Sequence, residues 1–154
     1  MAVSVLVAIR ARFSGRILEW YVAAQLLLWG LILLAPFDTF TATNLFAGFE
    51  VSENALGAAM LLMGLIRIGA LIVNGAVPNV TPFFRIGGAF LGCGVWFYIS
   101  MNLAASGHIS TWIAAWPMAC IAEFINLYRA SQDARVGVRR ATAMKRATAH
   151  GGRG

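Results

Sequence analysis

The chain has 154 residues, of which 60% are hydrophobic and only 12% charged, and its mean hydropathy is +0.75. These values lie outside the range of a soluble globular domain, and the apolar residues fall in runs of roughly 20, the length that crosses a hydrocarbon core as a helix. A β-barrel would show short alternating segments, whereas these runs are continuous, so the sequence predicts an all-α, polytopic membrane protein.

Residues 1–16 carry an apolar stretch ahead of Arg10, Arg12 and Arg16. That order is the reverse of a signal peptide and has no small-residue cleavage site, so the segment reads as a basic interfacial or cytoplasmic arm. A four-helix transmembrane domain is expected over 17–128, with helices at about 17–35, 54–74, 82–105 and 109–128. The loop from Pro36 to Glu53 contains Phe37, Phe40, Phe46 and Phe49 and is expected to lie on the membrane surface. Between the second and third helices, Asn74-Gly75 ends one helix and Thr81-Pro82 starts the next, which predicts a tight hairpin. Pro117 should kink or loosen the fourth helix.

The tail, 129–154, has seven basic residues and one acid, Asp133, so it holds the whole net charge of +6. It reads as a basic cytoplasmic tail, helical to about Arg146. Arg135, Arg139, Arg140, Lys145 and Arg146 are its candidate contacts with anionic lipid headgroups or a partner. Nucleic acid is the less favoured partner, since basic charge alone carries no specificity.

Lys and Arg in the flanks set orientation. They are abundant before the first helix and after the fourth, and absent between Pro36 and Asn54 and between Ser106 and His108. Both termini are therefore expected in the cytoplasm (N-in/C-in), in a bacterial inner membrane. Trp20, Tyr21 and Tyr128 would then sit near the inner interface, and Trp112 and Trp116 near the outer one.

Each apolar helix carries one ionisable residue near the cytoplasmic side: Glu19, Arg67, Arg85 and Glu123. At 1.5 Å per residue, Arg67 is roughly 10 Å from the Asn74 end of its helix, Arg85 about 5 Å from Thr81 and Glu123 about 8 Å from Tyr128. A charge at mid-membrane costs about 2.5–3.5 kcal/mol, so two acids and two bases at one depth form an expected intramembrane charge network. Because helices two and three are adjacent, each arginine should need a carboxylate from helix one or four. Small residues share those faces: Gly57 and Gly64 with Arg67, Gly88 and Gly92 with Arg85, and Ala115 and Ala119 with Glu123. These are candidate helix-packing positions, pointing the charges into the bundle or a subunit interface, and the chain could form a homo-oligomer or join another membrane protein.

Enzymatic readings fare poorly. The membrane segments hold no convergent nucleophile, base and metal ligands, and no HExxH, P-loop or GxGxxG occurs. His108 and His150 fall on opposite sides of the expected topology, which leaves no bis-histidine haem site, and no cofactor is expected. Cys93 and Cys120 read as buried apolar thiols.

The segments Gly64-Leu65-Ile66-Arg67, Ala70-Leu71, Asn74-Gly75, Arg85, Gly88-Ala89, Trp96, Tyr128-Arg129-Ala130 and Asp133-Ala134-Arg135 resemble small four-helix membrane proteins of tailed phages and prophages. The resemblance covers about Glu53 to Arg135. It implies a host inner-membrane location and no established chemistry. The expected role is a non-enzymatic membrane accessory or scaffold protein, with a holin-like permeabiliser and a small ion- or solute-coupled transporter as alternatives.

Overall fold

The computed structural model describes residues 15–42, 46, 48–73, 81–107 and 111–151. Five helices form among the described residues: α1 (Ile17–Leu34), the short α2 (Thr39–Ala42), α3 (Glu53–Val73), α4 (Thr81–Ala105) and α5 (Trp112–Gly151). No strand occurs among the described residues.

Helices α1, α3 and α4 are long and apolar enough to cross a membrane, which marks the chain as a membrane protein. Only about a third of each span is buried inside the bundle (33%). The remainder presents Leu28, Leu31, Leu62, Leu65, Phe90 and Phe97 outward, a surface that suits lipid and not water. The fourth apolar segment does not reach the same apolarity, because Pro117, Glu123 and Asn126 interrupt it. It forms instead the first half of α5, a helix of 40 residues that continues without a break to Gly151. At 1.5 Å per residue that is about 60 Å, roughly twice the thickness of a hydrocarbon core. The fourth apolar segment and the basic tail are thus parts of one helix.

The four long helices form a ring in the order α1, α3, α4, α5. Contact is closest within α1–α3 and within α4–α5, and thinner between the two pairs. Glycine explains the closeness of the first pair. A Cβ on Gly64 would lie 2.7 Å from the Leu27 amide nitrogen, and one on Gly30 would lie 2.6 Å from the Leu61 Cα. Backbone meets backbone there, and no side chain fits.

Buried positions recur at spacings of three and four on every long helix. They are Gly57, Met60, Gly64, Arg67 and Leu71 on α3, and Arg85, Ala89, Gly92, Trp96, Ile99 and Leu103 on α4. On α5 the series is Trp116, Ala119, Glu123, Asn126 and Ala130. This is the coiled-coil seam of a helical bundle.

Two expectations about the loop end are corrected. Trp116 does not lie at an interface: it is buried, stacked on Trp96 at a centroid separation of 5.5 Å and edge-on to Trp29 at 4.4 Å. Trp116 is seven residues from Glu123, within about 20° of the same helix face, so it must point inward wherever Glu123 does. The α1–α3 connection does not simply lie flat either. Phe40, Phe46 and Phe49 pack on one another, Phe49 sits edge-on to Tyr98, and Phe46 is buried against the bundle. The Glu53 carboxylate accepts from the Thr39 and Phe40 amides, each at 3.0 Å, and so caps the first turn of α2. The Asn74 turn lies outside the described residues, as do His108, most of arm 1–16 and the side chain of Trp112.

Candidate functional site

Glu19, Arg67, Arg85 and Glu123 all occupy seam positions, and all four are buried: 4%, 9%, 8% and 0% exposed respectively. In the ring order, α1 faces α4 and α3 faces α5, and the ion pairs run along these two diagonals. Arg85 on α4 grips Glu19 on α1 with two parallel bonds, Nε to Oε2 at 2.8 Å and Nη2 to Oε1. Arg67 on α3 grips Glu123 on α5 in the same way, with Nη2 to Oε2 at 2.9 Å and Nη1 to Oε1. Bidentate arginine–carboxylate forks are the strongest form of this contact, and both charges leave lipid together.

Each pair is supported differently. Arg67 Nη1 also reaches the Gly88 carbonyl at 3.5 Å, and the carboxamide of Asn126, 1% exposed, donates to Glu123 Oε2 at 3.4 Å. A Cβ on Gly92 would strike the Glu123 carboxylate and lie 2.9 Å from Arg67 Nη1, so this glycine is the space that the ion pair occupies. Gly88 does the same for the Arg67 stem, whose Cγ would be 3.2 Å from a Cβ there. Arg85 has a third partner, Asp133, whose Oδ2 lies 2.6 Å from Nη1. Asp133 is half exposed and is also 4.0 Å from Arg16. Arg129 donates to the Gly15 carbonyl at 3.0 Å, tying the residues just before α1 to α5.

Arg67 reaches α4 at Gly88, one turn beyond Arg85. The two forks are therefore stacked layers, Arg85–Glu19–Asp133 nearer the end of the bundle and Arg67–Glu123–Asn126 deeper. A small cavity lies between them, lined by Glu19, Arg67, Arg85 and Asn126 with Ile66, Ala70, Leu71 and Phe84.

The packing candidates divide. Gly57, Gly64 and Gly92 are buried close contacts, Gly88 is half-buried against Arg67, and Ala119 is buried in the core. Ala115 is corrected: it is exposed. Eight residues from Glu123, it has rotated about 80° off the seam, and Trp116 takes the inward place. Among the tail cations, Arg135, Arg139 and Arg146 are exposed, while the side chains of Arg140 and Lys145 lie outside the described residues. Cys93 and Cys120 are free thiols, buried side by side, with the Cys120 thiol 3.7 Å from the Cys93 carbonyl.

Sequence reasoning assigns Asp133 to the tail and misses its place beside Arg85. The signal was present: Ala119, Asn126 and Asp133 are spaced by seven, so Asp133 extends the seam by two turns past Asn126. Comparison with known proteins adds nothing to this geometry, as no family model, curated protein or solved structure matches the chain.

Proposed function

We propose that the chain is a four-span, non-enzymatic accessory or scaffold protein of a bacterial inner membrane, of the kind encoded by phages and prophages. The first half of α5 is the fourth span, and both termini face the cytoplasm. One observation carries the scaffold reading: the two acids and two arginines of the spans satisfy one another in bidentate pairs across the bundle. A polar layer at seam positions fixes which helices pair and in what register, because any slip would leave a charge in lipid without a partner. The exposed arginines of the projecting part of α5 then offer a basic surface to anionic headgroups or to a partner protein.

Induced expression in a bacterial host tests the reading. A folded, membrane-inserted protein that causes neither dye entry nor pH-dependent solute uptake supports it. Abrupt dye entry would replace it with a permeabiliser. Uptake abolished in Glu19→Gln while the protein remains folded would replace it with a coupled transporter, the reading that the polar cavity beside the ion pairs favours in second place. Glu123→Gln is expected to reduce the amount of folded protein before it alters any flux.

A further inference from the structure

The cavity between the two ion-pair layers has a volume of about 20 Å³. A polar space of about 10–15 Å³ or more, with several hydrogen-bonding partners, holds a water molecule. Asn126 is 1% exposed, its nitrogen is committed to Glu123, and its Oδ1 has no hydrogen-bond partner among the described residues. A buried carbonyl oxygen in that condition requires a donor.

The lining decides what kind of donor. Among the lining residues, Arg67 and Arg85 oppose a cation and Glu19 opposes an anion. The volume admits nothing the size of a phosphate. A small neutral molecule that both donates and accepts fits all of the walls. Donors to it are at hand: of the five N–H groups of an arginine, Arg67 directs three bonds to Glu123 and Gly88.

We propose that this cavity is a built site for a single water, which donates to Asn126 Oδ1 and joins the two ion pairs into one hydrogen-bonded unit. Asn126 is its anchor. Arg85, held by Glu19 and Asp133, closes the cavity toward the end of the bundle. The inference rests on the cavity alone and stands whichever role of the whole protein proves correct.

Water-to-amide NMR cross-relaxation on the full chain in detergent micelles tests it. Asn126 can be identified by 15N-Asn and 13C-Ile labelling, since Ile125-Asn126 is the one Ile-Asn step in the sequence. Its carboxamide protons should show a water cross-peak with the sign of a bound water, although the group is buried. Ala70→Leu fills the cavity and should abolish that cross-peak. Should Ala70→Leu not fold, Ala70→Val is the smaller fill, and the wild-type cross-peak alone remains decisive. Absence of the cross-peak in the wild type would overturn the site. A shift of the Asn126 signals on titration with ammonium or chloride would overturn water in favour of an ion.

Discussion

Replacing Glu123 by Leu should strand the Arg67 guanidinium inside the bundle. Its side chain is only 10% exposed, so bulk water cannot solvate it in place of the lost carboxylate, and the Gly88 carbonyl at 3.5 Å compensates only in part. Removing one member of a buried ion pair costs about 3–5 kcal/mol, and the expectation here is about 3–4 because Gly88 retains a fraction. Replacing both members, as in Arg67→Met with Glu123→Leu, removes the buried charge altogether. What remains is the Asn126 amide that lost its acceptor, a penalty of about 1–2 kcal/mol. The double variant should therefore be more stable than either single variant by about 2 kcal/mol or more. Unfolding by SDS in mixed micelles, followed through the Trp29–Trp96–Trp116 cluster, measures all four proteins. Additive losses in the double variant would refute the pairing and with it the seam-layer account.

Gly64→Leu should be destabilising by about 3 kcal/mol or more in the same unfolding assay, because the atoms it meets are the backbone of α1 and cannot give way. Gly69→Ala, whose new methyl meets nothing within 4 Å, should instead gain up to about 1 kcal/mol through helix propensity. Asp133→Asn removes only the half-exposed partner of Arg85, so a loss below about 1 kcal/mol that shrinks further in high salt is expected, against a loss of several kcal/mol for Glu19→Gln. Cys93 and Cys120 should resist a membrane-impermeant maleimide in the folded protein and react on SDS unfolding; rapid labelling of the native protein would contradict their burial.

Much of the bundle was readable because lipid simplifies the rules. A long apolar run must be helical, and a charge within it must face a partner, so three apolar helices, the four charges and most of the glycine faces followed from residue type and spacing. The errors arose where a residue has two good solvents. Trp116 suits an interface and a core equally, and only the seam spacing from Glu123 decides for the core. Ala115 is small enough for a helix contact, but small size does not say which side of a helix is turned inward. Asp133 was hidden by the basic residues around it, since a charge in a polar tail needs no explanation until α5 is seen to run on through it.

Residue type and spacing were enough to read a helical chain with two acids and two bases among its apolar runs, but of the four spans they predict, the structure marks three helices as apolar enough to cross a membrane. Those properties depend on composition and on distance along one helix. It took the packed bundle to show that α1 joins α3 and α4 joins α5, that Arg85 takes Glu19 while Arg67 takes Glu123, and that a cavity separates the two pairs. Either arginine could have paired with either acid on grounds of charge. In the ring order, with α1 beside α3 and α4 beside α5, Glu19 lies diagonally across from Arg85 and Glu123 across from Arg67, and the pairs form along those diagonals.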